Sequence, residues 1–256
     1  MHQSAIALSL LFLGPFSCSS SDAPAVVRTR EQFCLDWASA ACSAETVSVC
    51  QASSAEACRV TQRKTCDALV PTSGFSGQNA DACLAAVSAA YADADLTAAE
   101  AKTVLRLGKP CDRLVRGPRS AGQSCSSNLD CNTPDGFDCV IKGSSLDGTC
   151  QTPVVKQPGL TCAAAQEICT DGFYCNGTNC VEGKALGDPC QNPTECGTLG
   201  FCSASSVCTS RLAVSSPCTQ DWECASDVCY QLGGSTPACL DRLRLSPSEP
   251  ACANLR

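Results

Sequence analysis

The spacing of apolar residues divides the chain into three regimes, each predicting a different structure. Residues Ala5 to Leu13 form an apolar run interrupted only by Ser9, followed by Gly14, Pro15 and the small residues Ser17 to Ser20. That is the length of a signal-peptide core and too short to span a bilayer. Further on the pattern becomes helical. Cys34, Trp37, Ala38, Ala41 and Cys42 occupy positions i, i+3, i+4, i+7 and i+8, with Thr29 and Gln32 as a candidate capping box. Cys58, Thr61, Thr65, Cys66 and Leu69 nearly repeat it after Ser53 and Glu56, which predicts two antiparallel helices joined near Cys50. A second helical hairpin is predicted over Asn79 to Tyr91 and Thr97 to Leu107. Its second helix opens on Thr97-x-x-Glu100 and stops at Gly108 and Pro110. Beyond about residue 120 neither period persists, and short two-stranded hairpins with irregular loops are expected instead of long elements.

The cysteines tie these regimes together. There are 25 in 256 residues, the level of a disulfide scaffold. The closest two, such as Cys175 and Cys180, are five positions apart, so no CxxC exists to support thioredoxin-type redox or zinc-knuckle chemistry. Cys34, Cys42, Cys50, Cys58 and Cys66 fall on every eighth residue. Neighbours at that spacing on one helix stand about 12 Å apart, beyond disulfide reach, so pairing must run between helices. A hairpin centred on residue 50 sets Cys34 opposite Cys66 and Cys42 opposite Cys58, and the second hairpin brings Cys83 to Cys111.

Four units follow, each with four cysteines: Cys125, Cys131, Cys139, Cys150; Cys162, Cys169, Cys175, Cys180; Cys190, Cys196, Cys202, Cys208; and Cys218, Cys224, Cys229, Cys239. Gly122, Gly159 and Gly187 lie three residues before the first cysteine of their units, and Gly-Phe lies just ahead of the third cysteine at Phe137, Phe173 and Phe201. Asp130, Glu167, Glu195 and Glu223 stand at or near the position before the second cysteine. This is one module used four times. Interlocked loops constrain a small unit better than consecutive ones. First-to-third and second-to-fourth pairing is therefore expected: Cys125 with Cys139, Cys131 with Cys150, Cys162 with Cys175, Cys169 with Cys180, Cys190 with Cys202, Cys196 with Cys208, Cys218 with Cys229 and Cys224 with Cys239. Cys50 and Cys252 are left without local partners, and whether they meet stays open. A single unit has too few apolar side chains to offset the ordering of its chain, so disulfides, at about 3 kcal/mol for a loop of roughly 15 residues, must hold it.

The expected fold class is small and disulfide-rich, an α-helical disulfide-stapled amino-terminal domain followed by four short irregular or β-hairpin modules. The expected divisions are a signal peptide at 1–17, a linker at 18–28, a helical domain at 29–111, a basic linker at 112–121, repeats at 122–157, 158–185, 186–213 and 214–241, and a tail at 242–256. Phe16-Ser17-Cys18-Ser19-Ser20 resembles a bacterial lipoprotein signal, in which cleavage precedes a cysteine that then carries lipid, here Cys18. Ala23-Pro24-Ala25 offers a competing secretory cleavage site, and either cut leaves twenty-four cysteines to pair. The expected location is secreted, or anchored to a bacterial outer membrane or cell surface.

The net charge of −7 argues against nucleic acid and acidic lipid as partners. Membrane contact is expected only through the lipid. Arg106, Lys109, Arg113, Arg116 and Arg119 form one local basic cluster, read as a solvated linker, with a processing site or polyanion contact as alternatives. The only histidine is His2, inside the expected signal peptide, so histidine-based catalysis has no residue. Asp93 with Asp95 and Asp221 with Glu223 are the nearest approach to acid–base pairs and read as exposed turns. An EF-hand from Asp93 fails at Ala98 and Val104, where Gly and Glu are needed. Catalytic, cofactor and metal sites are therefore expected to be none. Asn176-Gly177-Thr178 matches a glycosylation sequon.

Units such as SCSSNLDCNTPDGFDC and PCQNPTECGTLGFC resemble the opening half of the Dickkopf N-terminal cysteine-rich domain over about Gly122 to Asp241. Similar units occur in bacterial cysteine-rich surface lipoproteins. The resemblance implies secreted proteins that act by binding, in Dickkopf as Wnt antagonists. The expected function is a non-enzymatic secreted or surface-anchored protein whose modules bind an extracellular protein or form a protease-resistant spacer. The rival is a protease inhibitor, with Lys142 or Arg211 as the residue offered to a protease.

Overall fold

The computed structural model describes residues 27–142, 147–231 and 236–253. The expected signal peptide, Cys18 and the competing cleavage site lie outside them. The amino-terminal half is helical: α1 (Arg30–Ala41), α2 (Ala44–Val49), α3 (Ala55–Leu69), α4 (Ala80–Ala90) and α5 (Ala98–Arg106). Local signals explain most boundaries. The Thr29 hydroxyl accepts the Gln32 N–H at the start of α1. At α5 the Thr97 hydroxyl and the Glu100 carboxylate satisfy each other's backbone N–H groups in a complete capping box. Two expectations need correction. Ser54, not Ser53, caps α3, because its extended backbone places the hydroxyl 3.0 Å from the Ala57 N–H. And α1 does not turn directly into α3, since Ser43 caps the intervening short helix α2, which ends at Cys50.

α1 packs on α3 and α4, burying Phe33, Trp37, Val70, Val87 and Val104 around disulfides Cys34–Cys66, Cys42–Cys58 and Cys83–Cys111. Phe33 meets Trp37 edge-on and Phe75 at a tilt. The Trp37 indole N–H donates to buried Gln62 at 3.4 Å, which satisfies a polar group that the core would otherwise strand.

The chain then runs through four modules with one backbone plan. The residue three before the first cysteine is left-handed in each: Gly122 (φ +80°), Gly159 (+79°), Gly187 (+95°) and, in the fourth, Ser215 (+65°). Its N–H donates to the carbonyl of the fourth cysteine at 2.8 Å in the first three modules and 2.9 Å in the last. The N–H of the fourth cysteine returns a 2.9 Å bond to the following residue, Gln123, Leu160, Asp188 or Ser216. The third and fourth cysteines stand directly opposite on an antiparallel hairpin, as Cys139 with Cys150, Cys175 with Cys180, Cys202 with Cys208 and Cys229 with Cys239. A bond between those two would staple only the hairpin. Instead the third joins the first and the fourth joins the second, tying the preceding loop to the hairpin twice. Cα separations are 5.7–5.9 Å for the first bond and 5.3–5.5 Å for the second across all four modules.

The segments between modules are not spacers. Each lies beside the second-cysteine segment of the next module: Arg119 bridges Cys131 in parallel, residues 154–156 pair in parallel with 167–169, Leu212 bridges Cys224, and the Lys184 N–H donates to Glu195. Segment 112–121, expected as a solvated basic linker, is held against the first module in this way. Thr133 is wholly buried, and its hydroxyl donates to the carbonyls of Asp112 and Val115.

The array ends where it began. Residues 242–244, expected as part of a tail, pair antiparallel with 95–97, placing Leu243 opposite Leu96. Leu243 and Leu245 join the helical core together with Val228 and Leu240 of the fourth module. Cys252, on the short helix α6 (Pro250–Ala253), is bonded to Cys50 across 202 residues of sequence.

Candidate functional site: the module surfaces

Among the described residues no cysteine carries a free thiol. Every cysteine from Cys34 to Cys252 is in a disulfide. The sulfurs of Cys125, Cys131 and Cys150, and their equivalents in the other modules, lie within 4.8 Å of one another. They cluster because the two bonds of a module stack, and an oxidised sulfur offers neither thiolate nucleophile nor strong metal ligand.

The recurrent acidic residue holds a loop in place. Asp130 Oδ2 accepts the N–H groups of Ser126 (2.8 Å) and Ser127 (2.9 Å), Glu195 accepts Gln191, Glu223 accepts Thr219 and Gln220, and Glu167 accepts Ala164. In each module the carboxylate caps the turn that follows the first cysteine. The Ser126 N–H, with Ser127 and the Ser126 hydroxyl, holds Asp130 below the usual carboxylate range against the effect of burial. Glu167 is lowered chiefly by Lys156 and then by the Ala164 N–H.

The other charged residues singled out by sequence are also engaged. Asp93 accepts the Asp95 N–H, and Asp95 pairs with Arg242 at 2.8 Å. Asp221 does not face Glu223 as an acid–base pair. It bridges to α5 through Lys102 (2.8 Å) and Arg106 (3.1 Å) and accepts the Cys229 N–H. Burial pushes its pKa up, but Lys102, the Cys229 N–H and Arg106 outweigh it and hold it low. The basic cluster is dispersed among acidic partners: Arg106 takes Asp221, Lys109 and Arg113 take Asp138, and Arg116 takes Asp135. Arg119 donates its backbone N–H to Asp130.

Neither proposed protease-reactive residue projects freely. Lys142 is turned inward, donating to the carbonyls of Cys162 and Ala164 and so clasping the first module to the second. The Arg211 guanidinium bonds the Cys224 carbonyl and pairs with Asp227 at 2.5 Å. Asn176 is exposed on the hairpin tip of the second module.

The exposed chemistry lies elsewhere. Gly183 and Gly197 bring the second and third modules into backbone contact, since a Cβ on Gly183 would stand 2.3 Å from the Gly197 Cα. The seam forms a groove of about 380 Å³ walled by Phe173, Leu186 and Leu199, with Asp171 and Glu182 at its sides. Leu199 is 77% exposed and Leu186 51%. Neither carboxylate makes an ion pair among the described residues. No sequence signal marked this groove, because its walls come from non-equivalent positions of two modules. Two further clefts, of about 630 and 520 Å³, flank Lys102 and Arg106 of α5. One is lined also by Trp222 of the fourth module and the other by Leu129 of the first.

Among the described residues no helix is long and apolar enough to cross a membrane. Comparison with protein-family models, with curated proteins and with solved structures found no match.

Proposed function

We propose that this chain is a secreted or surface-anchored, non-enzymatic binding protein whose disulfide modules present a fixed surface to an extracellular protein. The observation that carries this reading is one covalent framework repeated four times under differing surfaces. The loop between third and fourth cysteines contains ten, four, five and nine residues in successive modules, while the bonds beneath it are the same. A constant scaffold beneath variable loops is the arrangement of a recognition surface. The return of the array to the helical domain favours presentation over spacing, because an array with both ends on one body separates nothing. The resemblance to Dickkopf-type units supports extracellular recognition, and the density of disulfides supports an oxidising compartment. The groove of Leu186 and Leu199, flanked by Asp171 and Glu182, suits a partner segment bearing an apolar side chain beside lysine or arginine.

Titration of the labelled protein onto intact cells or isolated surface proteins of its source tests the reading. Saturable binding that is lost on reduction and weakened at least about tenfold by Leu186→Ser with Leu199→Ser is expected, tenfold being about 1.4 kcal/mol. Binding that does not saturate, or that survives both changes, removes the groove from the reading. Tight inhibition of a protease by the intact protein turns the assignment to the inhibitor class. For anchoring, fatty-acid labelling of the wild type and release of Cys18→Ala into the soluble fraction are expected, and unchanged membrane association of that variant overturns the lipid anchor.

A further inference from the structure

Asn176 is the first residue of the tip joining the strands Phe173–Cys175 and Cys180–Glu182, and it is followed by the only Asn–Gly peptide bond in the chain. Its side-chain oxygen accepts two backbone N–H groups, from Thr178 and Asn179, each at 3.0 Å. Those bonds fold the amide back along the peptide that follows it. They also place two donors on the oxygen that becomes an oxyanion if the amide carbon is attacked, the geometry by which donors stabilise tetrahedral intermediates. The adjoining nitrogen belongs to Gly177, which has no side chain to obstruct approach and lies at φ +98° with open space where a Cβ would be.

We propose that Asn176 is a site of spontaneous, structure-assisted deamidation, a covalent change that goes beyond the binding function. A solvent base removes the Gly177 N–H proton, and the nitrogen attacks the Asn176 side-chain carbonyl carbon. The new C–N bond closes a five-membered ring, with the negative charge on the oxygen held by Thr178 and Asn179. Collapse expels the side-chain nitrogen, which takes a proton from water and leaves as ammonia. Water then opens the resulting succinimide. Cleavage of the new bond gives aspartate, and cleavage at the main-chain carbonyl gives isoaspartate. The net reaction consumes one water and releases one ammonia, with no change of oxidation state. The product carries a carboxylate at a cleft of about 530 Å³ lined by Lys142, Tyr174 and Lys184. It also removes the acceptor amide of the Asn176-Gly177-Thr178 sequon.

The test is incubation of the intact, oxidised protein at neutral and mildly alkaline pH, with peptide mapping and isoaspartate detection over time. Asn79, Asn128, Asn132, Asn179 and Asn192 serve as internal comparators. Asn176 is expected to convert first, and about tenfold faster in the folded protein than in the reduced, alkylated chain, a difference of about 1.4 kcal/mol in barrier. Gly177→Ala is expected to slow conversion in both forms. Conversion that is no faster in the folded protein than in the unfolded chain, or that occurs first at another asparagine, overturns the proposal.

Discussion

Two glycines in neighbouring modules show how differently one residue type is used. Gly187 has no atom near its missing Cβ, and what it supplies is φ +95°, the conformation that lets its N–H reach the Cys208 carbonyl. Gly187→Ala should therefore cost only the backbone strain of an L residue, about 1–2 kcal/mol, read as a lower denaturant midpoint with the module otherwise intact. Gly183 is required for space instead. Its Cβ would collide with the Gly197 backbone, so Gly183→Ala should part the second and third modules and raise hydrogen exchange at Lys184, whose N–H bonds Glu195 across that seam. Unchanged exchange there would show that the modules do not need this contact. The spacing of Gly187 from the cysteines was visible in the sequence. The role of Gly183 was not, because the residue it meets belongs to another module.

Among elements, the cysteine loops and α5 depend on ionised carboxylates. Asp130, Glu167 and Asp221 all have depressed pKa values in the folded state. Each therefore adds stability that is present above the ordinary carboxylate range and is lost as pH falls through the folded-state value. The melting temperature should be nearly flat above about pH 5 and decline toward pH 2, and Asp130→Asn should reduce that decline. A melting temperature that rises on acidification would contradict these assignments. Asp221→Asn removes the ion pairs to Lys102 and Arg106 at a half-buried junction and should cost about 1–3 kcal/mol. Loss of protection at the Cys229 amide, which Asp221 accepts, is the accompanying sign that the fourth module has loosened from α5.

For the whole molecule, the bond between Cys50 and Cys252 and the pairing of 95–97 with 242–244 convert a string of modules into a closed body. The 202-residue loop would give a large entropic effect in an otherwise uncrosslinked chain. The other disulfides already shorten the path between its ends, so Cys50→Ala with Cys252→Ala should cost about 2–4 kcal/mol. Limited proteolysis should then cut first between residues 242 and 253, while the four modules stay resistant. Simultaneous cleavage throughout the array would mean that the modules depend on the closure for their own folding.

The sequence by itself determined whatever depends on neighbours along the chain. Thr97 and Glu100 mark the start of α5 because a capping box spans four residues, and Cys34 faces Cys66 because the two cysteines lie equally far along the chain from residue 50, about which α1 and α3 return on each other. The module bonds span only 11 to 19 residues, within which the repeated spacing leaves few ways to pair. Tertiary structure decided the rest. Arg106 showed its charge in the sequence but not its partner Asp221, which is 115 residues away. The three-residue strands at 95–97 and 242–244 are too short to carry a recognisable alternation, and Leu243 is buried only because the fourth module has delivered it to the helical core. Cys50 and Cys252 were the cysteines that local pairing left over. What joined them is the path of the whole chain, a property that no window of sequence contains.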